Sequence, residues 1–376
     1  MTPSPGFWAG KRVLLTGHTG FKGAWCALWL QRLGAVVHGL ALPPEDGAVL
    51  WDGLGRPGGE HLGDIRDPAV VAEAFRVASP EIVLHLAAQA LVHPSYDDPA
   101  TTFETNVMGL VRVLDAARRT PSVRAVVNVT SDKCYENREQ LWAYRETEAM
   151  GGSDPYSASK GCAELVTASY RRSFFKDPDG PFLASGRAGN VIGGGDWSGD
   201  RLLPDCARAF QAGEAVMIRN PLATRPWQHV LEPISGYLVL AEALYRRGAD
   251  AAEGWNFGPS DEDAWTVGRV VSRVTDLWGE GAAWRQDDAA WAKEAMLLRV
   301  DATKARVRLG WRPRLAVDDA LAWTVEWYKV VRDGRPALAI TTEQIARYEA
   351  LAQDAAGAAP LPPTAAARAG AGRTSS

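Results

Sequence analysis

The chain of 376 residues contains no apolar run of the ~18 residues that a membrane-spanning helix needs. Cysteine is scarce as well. Cys26, Cys134, Cys162 and Cys206 form no CxxC pair and no metal-ligand spacing, so neither a zinc site nor a disulfide framework is expected, and reduced thiols in a cytoplasmic protein are the simple reading. Cys134 stands beside Lys133 but is paired with no base, and it reads as a small apolar residue rather than a reactive thiol. An excess of one charge is also lacking. A net charge of −4 gives no reason to expect nucleic acid or an anionic membrane as a partner. The segment from Met1 to Trp8 lacks the basic stretch followed by an apolar one that marks a secretory signal. No internal repeat is visible, and from about Ala355 the composition falls to Ala, Pro, Gly, Arg, Thr and Ser without periodicity, which predicts a disordered tail over 355–376. Tryptophan, by contrast, is abundant: the fifteen indoles are expected in the core and in cleft walls.

What is present is an alternation. Short apolar strands at Arg12–Thr16, Ala35–Leu40, Glu81–Leu86 and Val123–Val129 are separated by helical stretches, the pattern of an α/β, Rossmann-like doubly wound parallel sheet. Asp98-Pro99 and Asp154-Pro155 each set a capping carboxylate before a first-turn proline. The helix after Pro99 carries Phe103, Val107, Leu110, Val111 and Leu114 at helical spacing, and the one after Pro155 carries Ala163, Val166 and Tyr170; both stripes read as core or subunit contact. From Pro181 the pattern loosens into two further strands, Phe182–Ser185 and Gly254–Phe257, among loops rich in Gly, Pro and Trp. This suggests a dinucleotide-binding domain over 7–190, with strand contributions from later segments, and a smaller C-terminal substrate-binding lobe over 191–350.

Gly17, Gly20 and Gly23 follow the first strand and precede an amphipathic helix bearing Trp25, Leu28, Trp29 and Leu33. Glycines there let backbone N–H groups approach a pyrophosphate at the helix N-terminus. The second strand runs into Leu40-Ala-Leu-Pro-Pro44, with no acid for a ribose diol unless Glu45 or Asp46 loops back. Between Arg32 and Arg56 there is equally no Lys or Arg for a 2′-phosphate, so NAD is favoured over NADP. Asp64, in Gly63-Asp-Ile-Arg-Asp67, is placed either to receive an adenine amino group or simply to close a turn.

Tyr156 and Lys160 lie four apart and share a helix face. A phenol must lose its proton near neutral pH to act as a base, and a neighbouring ammonium together with a nicotinamide's positive charge favours that. Ser131, after the strand ending at Val129, is the hydroxyl that would align an alcohol beside Tyr156. Asp132 and Lys133 are an additional acid/base pair that hydride transfer alone does not require.

The Gly17 motif, His85-Leu-Ala-Ala-Gln89, Thr105-Asn-Val-Met-Gly109, Thr130 to Arg138 and Tyr156 to Lys160 resemble the extended short-chain dehydrogenase/reductase superfamily. Within it, Arg187 to Trp197, Arg225-Pro-Trp-Gln-His229 and Leu309-Gly-Trp-Arg-Pro313 are most similar to the CDP-glucose 4,6-dehydratases, over roughly residues 7 to 330. The resemblance implies a redox-neutral lyase acting on a nucleotide sugar, CDP-glucose, through bound NAD, as a homodimer or dimer of dimers. It implies cofactor contacts from Gly17, Thr19, Gly20, Phe21, Lys22, Gly23, Asp64, Ile65, Leu86, Ala87, Ala88, Thr130, Tyr156 and Lys160. Substrate contacts are implied for Gln89, Ser131, Asn190, Arg201, Arg225 and Arg299, and catalysis for Ser131, Asp132, Lys133, Tyr156 and Lys160, with no metal. Asp132 carries over as the acid at C6. Lys133 stands where dTDP-glucose dehydratases have a Glu base, and acts either as an unprotonated base at C5 or as an ammonium beside an enolate, with another group taking the C5 proton. His93-Pro94 departs from the basic, proline-free loop of the family, which puts a pyrophosphate contact there in doubt. A dTDP-glucose dehydratase differs by that Glu. A 4-epimerase would need no Asp132-Lys133 pair, and a non-catalytic NAD-binding regulator would need neither that pair nor Tyr156.

Overall fold

Alternating burial builds the central sheet. In β1 (Arg12–Thr16), Val13 and Leu15 face one side and Leu14 the other, and all three are at most 1% exposed. β2 (Val36–Ala41), β3 (Gly59–Leu62), β4 (Ile82–His85), β5 (Ala125–Val129) and β6 (Phe182–Arg187) follow in the chain. Later come β7 (Val191–Ile192), β8 (Ala215–Ile218), β9 (Thr224–Pro226), β10 (Gln228–His229), β11 (Gly254–Asn256), β12 (Ala264–Thr266) and β13 (Ala283–Gln286). The computed structural model describes residues 1–44, 50, 59–178, 180–279, 281–287 and 296–357. Among them, one seven-stranded sheet runs in the order β11-β6-β5-β4-β1-β2-β3, with every pairing parallel. The order reverses between β1 and β4, and a crevice opens at the carboxyl ends of strands at such a point.

Both faces are covered. Leu14, Val83, Val126 and Leu183 pack with Phe75, Leu110 and Leu114 from the helices Pro68–Ala78 and Leu110–Arg119. Val13, Leu15, Leu84 and Val127 share the other core with Trp25, Trp29 and Leu238 from the helices Phe21–Arg32 and Leu231–Arg247. That second core also takes in Trp255, Trp311 and Trp327, so most of the expected burial of indoles is met, with Trp142 at 66% exposure the clear exception. The helix Ala337–Gly357 closes the back of Phe21–Arg32: Tyr348 stacks edge-on against Trp29 at 5.5 Å, and the Trp29 indole donates to Glu349 at 2.9 Å. This helix takes in the first residues of the stretch expected to be a tail; the remainder, like Glu45 and Asp46, lies outside the described residues.

Both capping aspartates work as expected, Asp98 accepting from the Thr101 amide at 2.9 Å and Asp154 from the Ser157 amide at 2.8 Å. The helix after Pro99 is not continuous, however. Pro99–Phe103 passes into a π turn over Glu104–Gly109 before Leu110–Arg119 resumes. The wider turn shifts the apolar phase, so Leu110 and Leu114 are buried while Phe103 stays 36% exposed. The side chain of Asn106 in that turn exchanges hydrogen bonds with both backbone groups of Gln89 and donates to Ser159, anchoring the loop after β4. β3 was not expected, because Gly59-Glu-His-Leu62 has no apolar run. It is an edge strand paired only to β2.

Candidate active site

The glycine cradle stands at the β1/β4 switch point. Gly17 turns with φ +74°, and a Cβ there would lie 2.8 Å from the Ala87 nitrogen; at Gly23 it would lie 2.0 Å from the Gly17 carbonyl oxygen. Neither position has room for a side chain. At Gly20 a Cβ would meet only Gly17 O, at 3.5 Å, so the approach to the helix N-terminus stays open. The helix beginning at Phe21 has no acid in its first turn, and its N–H groups fit a dinucleotide pyrophosphate. Thr19 donates to the Leu42 carbonyl at 3.0 Å, and the Thr16 hydroxyl collects the amides of Leu86 and Ala87 at 3.1 Å each, fixing the segment that Ala88 continues. Ile65 packs under Gly109. The Asp64 carboxylate closes a turn on Arg66, accepting from its amide and its guanidinium at 2.8 Å each, and its pKa is lowered chiefly by that guanidinium.

Past the carboxyl end of β5 the chain turns through Thr130 and Ser131 into a short 3-10 turn, Asp132–Cys134. The Ser131 hydroxyl donates to Asp132 Oδ1 at 3.0 Å. Asp132 is 2% exposed, and its Oδ2 lies against Gly189, where a Cβ would come within 1.8 Å; no hydrogen bond reaches that oxygen. Tyr156 and Lys160 ride the helix Pro155–Ser173, at 7% and 6% exposure, with the ammonium 5.9 Å from the phenol ring centre. Burial pushes the Tyr156 phenol up to about 12; a bond with Ser131 and the Arg201 charge pull against this, while Asp132 and Asp154 add to it. A positive charge brought beside the phenol would pull in the opposite direction. Burial also lowers Lys160 to about 8, opposed by Cys134 and Glu164. Lys22 is likewise lowered to about 8 by burial and by the charges of Arg201 and Lys160, with Asp132 and Asp196 opposing. The Lys133 side chain is half-buried beside Asp132.

Of the expected substrate contacts, Arg201 reaches the centre. Its guanidinium pairs with Asp196 at 2.9 Å, and its charge bears on Tyr156 and Lys22. Asn190 turns with φ +45° beside Gly189, its carbonyl receiving the Gln228 amide at 3.2 Å. Gln89 folds its amide group back onto Leu91. Arg225 lies in β9 opposite Trp265. Arg299 lines a pocket with Trp142, Arg145, Pro259, Asp301 and Arg306, and none of the catalytic side chains is among its lining residues. His93 bridges Asp200 at 2.9 Å and Arg219 at 3.3 Å. The groups that sequence reasoning missed are Asp196, Arg187 and Glu164. Glu164 had a signal, standing one helical turn beyond Lys160 on the Tyr156 face; Arg187 and Asp196 lie in the Arg187 to Trp197 segment that carries the resemblance, which did not say what they bond.

A Tyr–Lys pair on one helix, opposite a glycine cradle at the carboxyl ends of parallel strands, defines a short-chain dehydrogenase/reductase of the extended, Rossmann-fold kind. More narrowly, the chain belongs to the GDP-mannose 4,6 dehydratase family, whose model matches residues 14–324. It is 50% identical over 348 residues to the CDP-glucose 4,6-dehydratase of Salmonella typhimurium, covering 91% of this chain and 97% of that protein. To dTDP-glucose 4,6-dehydratase 1 of Escherichia coli it is 26% identical, covering 84% of this chain and 92% of the other. The fold is that of the UDP-glucose 4-epimerase of Thermotoga maritima solved with UDP-glucose (TM-score 0.73, 23% identity, 85% of this chain and 99% of that one). It is also that of the dTDP-glucose 4,6-dehydratase of Bacillus anthracis solved with NAD (TM-score 0.71, 18% identity, 86% and 98%).

Proposed function

We propose that this chain is an NAD-dependent CDP-glucose 4,6-dehydratase, a hydro-lyase converting CDP-D-glucose to CDP-4-dehydro-6-deoxy-D-glucose and water. The observation that carries the reading is Asp132, a buried carboxylate with one oxygen held by Ser131 and the other unpartnered, next to the Tyr156–Lys160 helix. A 4-epimerase has no use for such a group. Half-identity to the Salmonella CDP-glucose enzyme supports the nucleotide.

The cradle from Gly17 to Gly23, Leu86 to Ala88 and Thr130, Tyr156 and Lys160 would hold NAD, which would supply a hydride acceptor for C4 and a hydride donor for C6. Ser131 positions the C4 hydroxyl and Tyr156 removes its proton, with Lys160 stabilising the phenolate. The resulting C4 carbonyl acidifies C5–H. Asp132 gives its proton to the C6 hydroxyl as it departs as water, and Lys133 either takes the C5 proton or, as an ammonium, holds the enolate by charge while another base takes that proton. Arg201, Arg225 and Asn190 address the nucleotide diphosphate and sugar. Arg299, which lines a pocket with Arg145 and Arg306, is kept in that set as a diphosphate contact. Residues 7–190 and 191–350 serve as cofactor and substrate parts of one body, β11 returning from the second to extend the sheet of the first. Four free cysteines accord with a cytoplasmic setting, and no described helix is long and apolar enough to cross a membrane.

Purified protein incubated with CDP-, dTDP- and UDP-glucose should form a 4-keto product fastest from CDP-glucose. No free NADH should appear, because the hydride removed at C4 returns to the same sugar. Stoichiometric NADH release would point to a simple dehydrogenase instead. The subunits pair through the helices around Pro99–Phe103 and Pro155–Ser173, where Phe103, Met108 and Leu165 stay exposed. Light scattering at micromolar concentration should give at least a dimer, and a monomer would overturn the pairing.

A further inference from the structure

Glu164 has no part in the scheme above, yet it is 3% exposed and fully engaged. Its Oε1 receives the Thr130 hydroxyl at 2.5 Å; its Oε2 receives the Ser185 hydroxyl at 2.8 Å and the Arg187 guanidinium at 2.7 Å. Arg187 is in turn tied to the Tyr135 hydroxyl at 2.8 Å. Burying a carboxylate this deeply is costly, and a fold retains one when its charge has work to do or its partners make it neutral in sum. Two connections lead from it to the catalytic cluster. Thr130 immediately precedes Ser131 on the loop leaving β5, and Lys160 lies one helical turn before Glu164 on the same buried face.

We infer that Glu164 is a positioning residue of the active site: its carboxylate keeps Lys160 in the ammonium form and pins, through Thr130, the loop that presents Ser131 and Asp132. This rests on the Tyr156–Lys160 chemistry proposed above and names what sets its charge state. The titratable and charged groups facing Lys160 are Tyr156 and Glu164 on its own helix, Cys134 after β5, His85 on β4 and Lys22 at the start of Phe21–Arg32. His85, lowered by burial to about 3, and Cys134, raised well above its ordinary value by burial, are both neutral at pH 7. Lys22 is a cation and opposes a second one. Glu164 is held ionised: burial raises its carboxyl, but the Arg187 charge and the three hydrogen bonds outweigh this and leave it lowered. It is thus the anion among these groups that favours the Lys160 ammonium near neutral pH. With Lys160 brought down to about 8 even so, loss of that anion moves the amine's titration through the working range.

Glu164→Gln, which keeps the size and removes the charge, separates this from a packing role. Trace acetylation of the full-length protein without substrate, followed residue by residue by mass spectrometry across pH, reads the Lys160 amine directly. The titration should fall by about one pH unit, or tenfold in amine reactivity on the acid side of the midpoint. In turnover of CDP-glucose, the basic limb of the kcat profile should move down by the same amount while the acid limb, set by Tyr156, stays. A lesion of packing alone lowers kcat at every pH and moves neither limb. Glu164→Asp, which keeps the charge at a longer reach, should restore most of the titration; where Glu164→Gln does not fold, a smaller fall in the Glu164→Asp protein is the expected result and an unchanged titration overturns the assignment. An unchanged Lys160 titration in a folded Glu164→Gln protein also overturns it. Failure to turn over CDP-glucose with the Lys160 shift intact would instead sink the dehydratase reading alone.

Discussion

Tyr156 and Asp132 share one buried cluster, and the proposed chemistry gives them separate steps. Tyr156→Phe removes the base that opens oxidation at C4, so a single turnover with CDP-glucose should build no absorbance in the reduced-nicotinamide band. Asp132→Asn leaves that base in place and takes away the proton donor to the C6 hydroxyl, so elimination should slow by about 10²- to 10⁴-fold and reduced cofactor should build up on the enzyme. Rapid-mixing absorbance reads both. Turnover of Asp132→Asn at the wild-type rate would remove Asp132 from the acid role. Gly189 offers a companion test. A methyl group there would overlap Asp132 Oδ2 at 1.8 Å, so Gly189→Ala should mimic the Asp132 lesion rather than the Tyr156 one.

At the scale of elements, the cradle helix and the Tyr156 helix carry different loads. In Gly23→Ala the new Cβ meets the Gly17 carbonyl at 2.0 Å, which forces helix and turn apart. Retention of NAD through gel filtration should be lost, and a variant that still holds cofactor at the wild-type level would contradict this account of the cradle. Asp154→Ala removes the carboxylate that accepts from both the Ser157 amide and its hydroxyl, and should cost about 1 kcal/mol. A lower thermal midpoint by differential scanning calorimetry checks it. These elements were legible in the sequence because their causes are local. An apolar run such as Ala125–Val129, an Asp-Pro pair and a glycine after a strand each dictate structure within a few residues. The edge strand Gly59–Leu62 was not, since its pairing with β2 needs no apolar run, and neither was the π turn, which answers to Asn106 reaching the Gln89 backbone across the fold. The site divides in the same way. Ser131, Asp132, Tyr156 and Lys160 announce themselves by spacing. Arg187 matters through partners distant in sequence, Glu164 and Tyr135, whereas Asp196 pairs with Arg201 only five residues on.

Across the whole molecule, one buried acid couples stability to pH. Glu232, fully enclosed in the helix Leu231–Arg247, accepts from the Tyr348 hydroxyl at 2.7 Å and from the Arg314 and Leu315 amides at 2.8 Å each. Burial nevertheless raises its carboxyl to about 7, with those bonds and the Arg314 charge only partly opposing. A folded-state pKa above the unfolded value of about 4.5 means the folded protein holds the proton more tightly, so this group's contribution is fully present below about pH 4.5 and is lost as pH rises towards 7. Glu232→Gln should therefore gain on wild type between about pH 5 and 8, measured as the difference in thermal midpoint; a difference that stays constant over that range would refute the coupling. The seal formed by the helix Ala337–Gly357 over Trp29 carries a consequence for biosynthesis. The face of the helix Phe21–Arg32 is completed by a partner 320 residues further along the chain, so a nascent chain halted before residue 337 leaves Trp29 and Trp327 without the partners that cover them. Such a chain is a substrate for chaperones, and commitment to the native state comes only when the helix Ala337–Gly357 has docked.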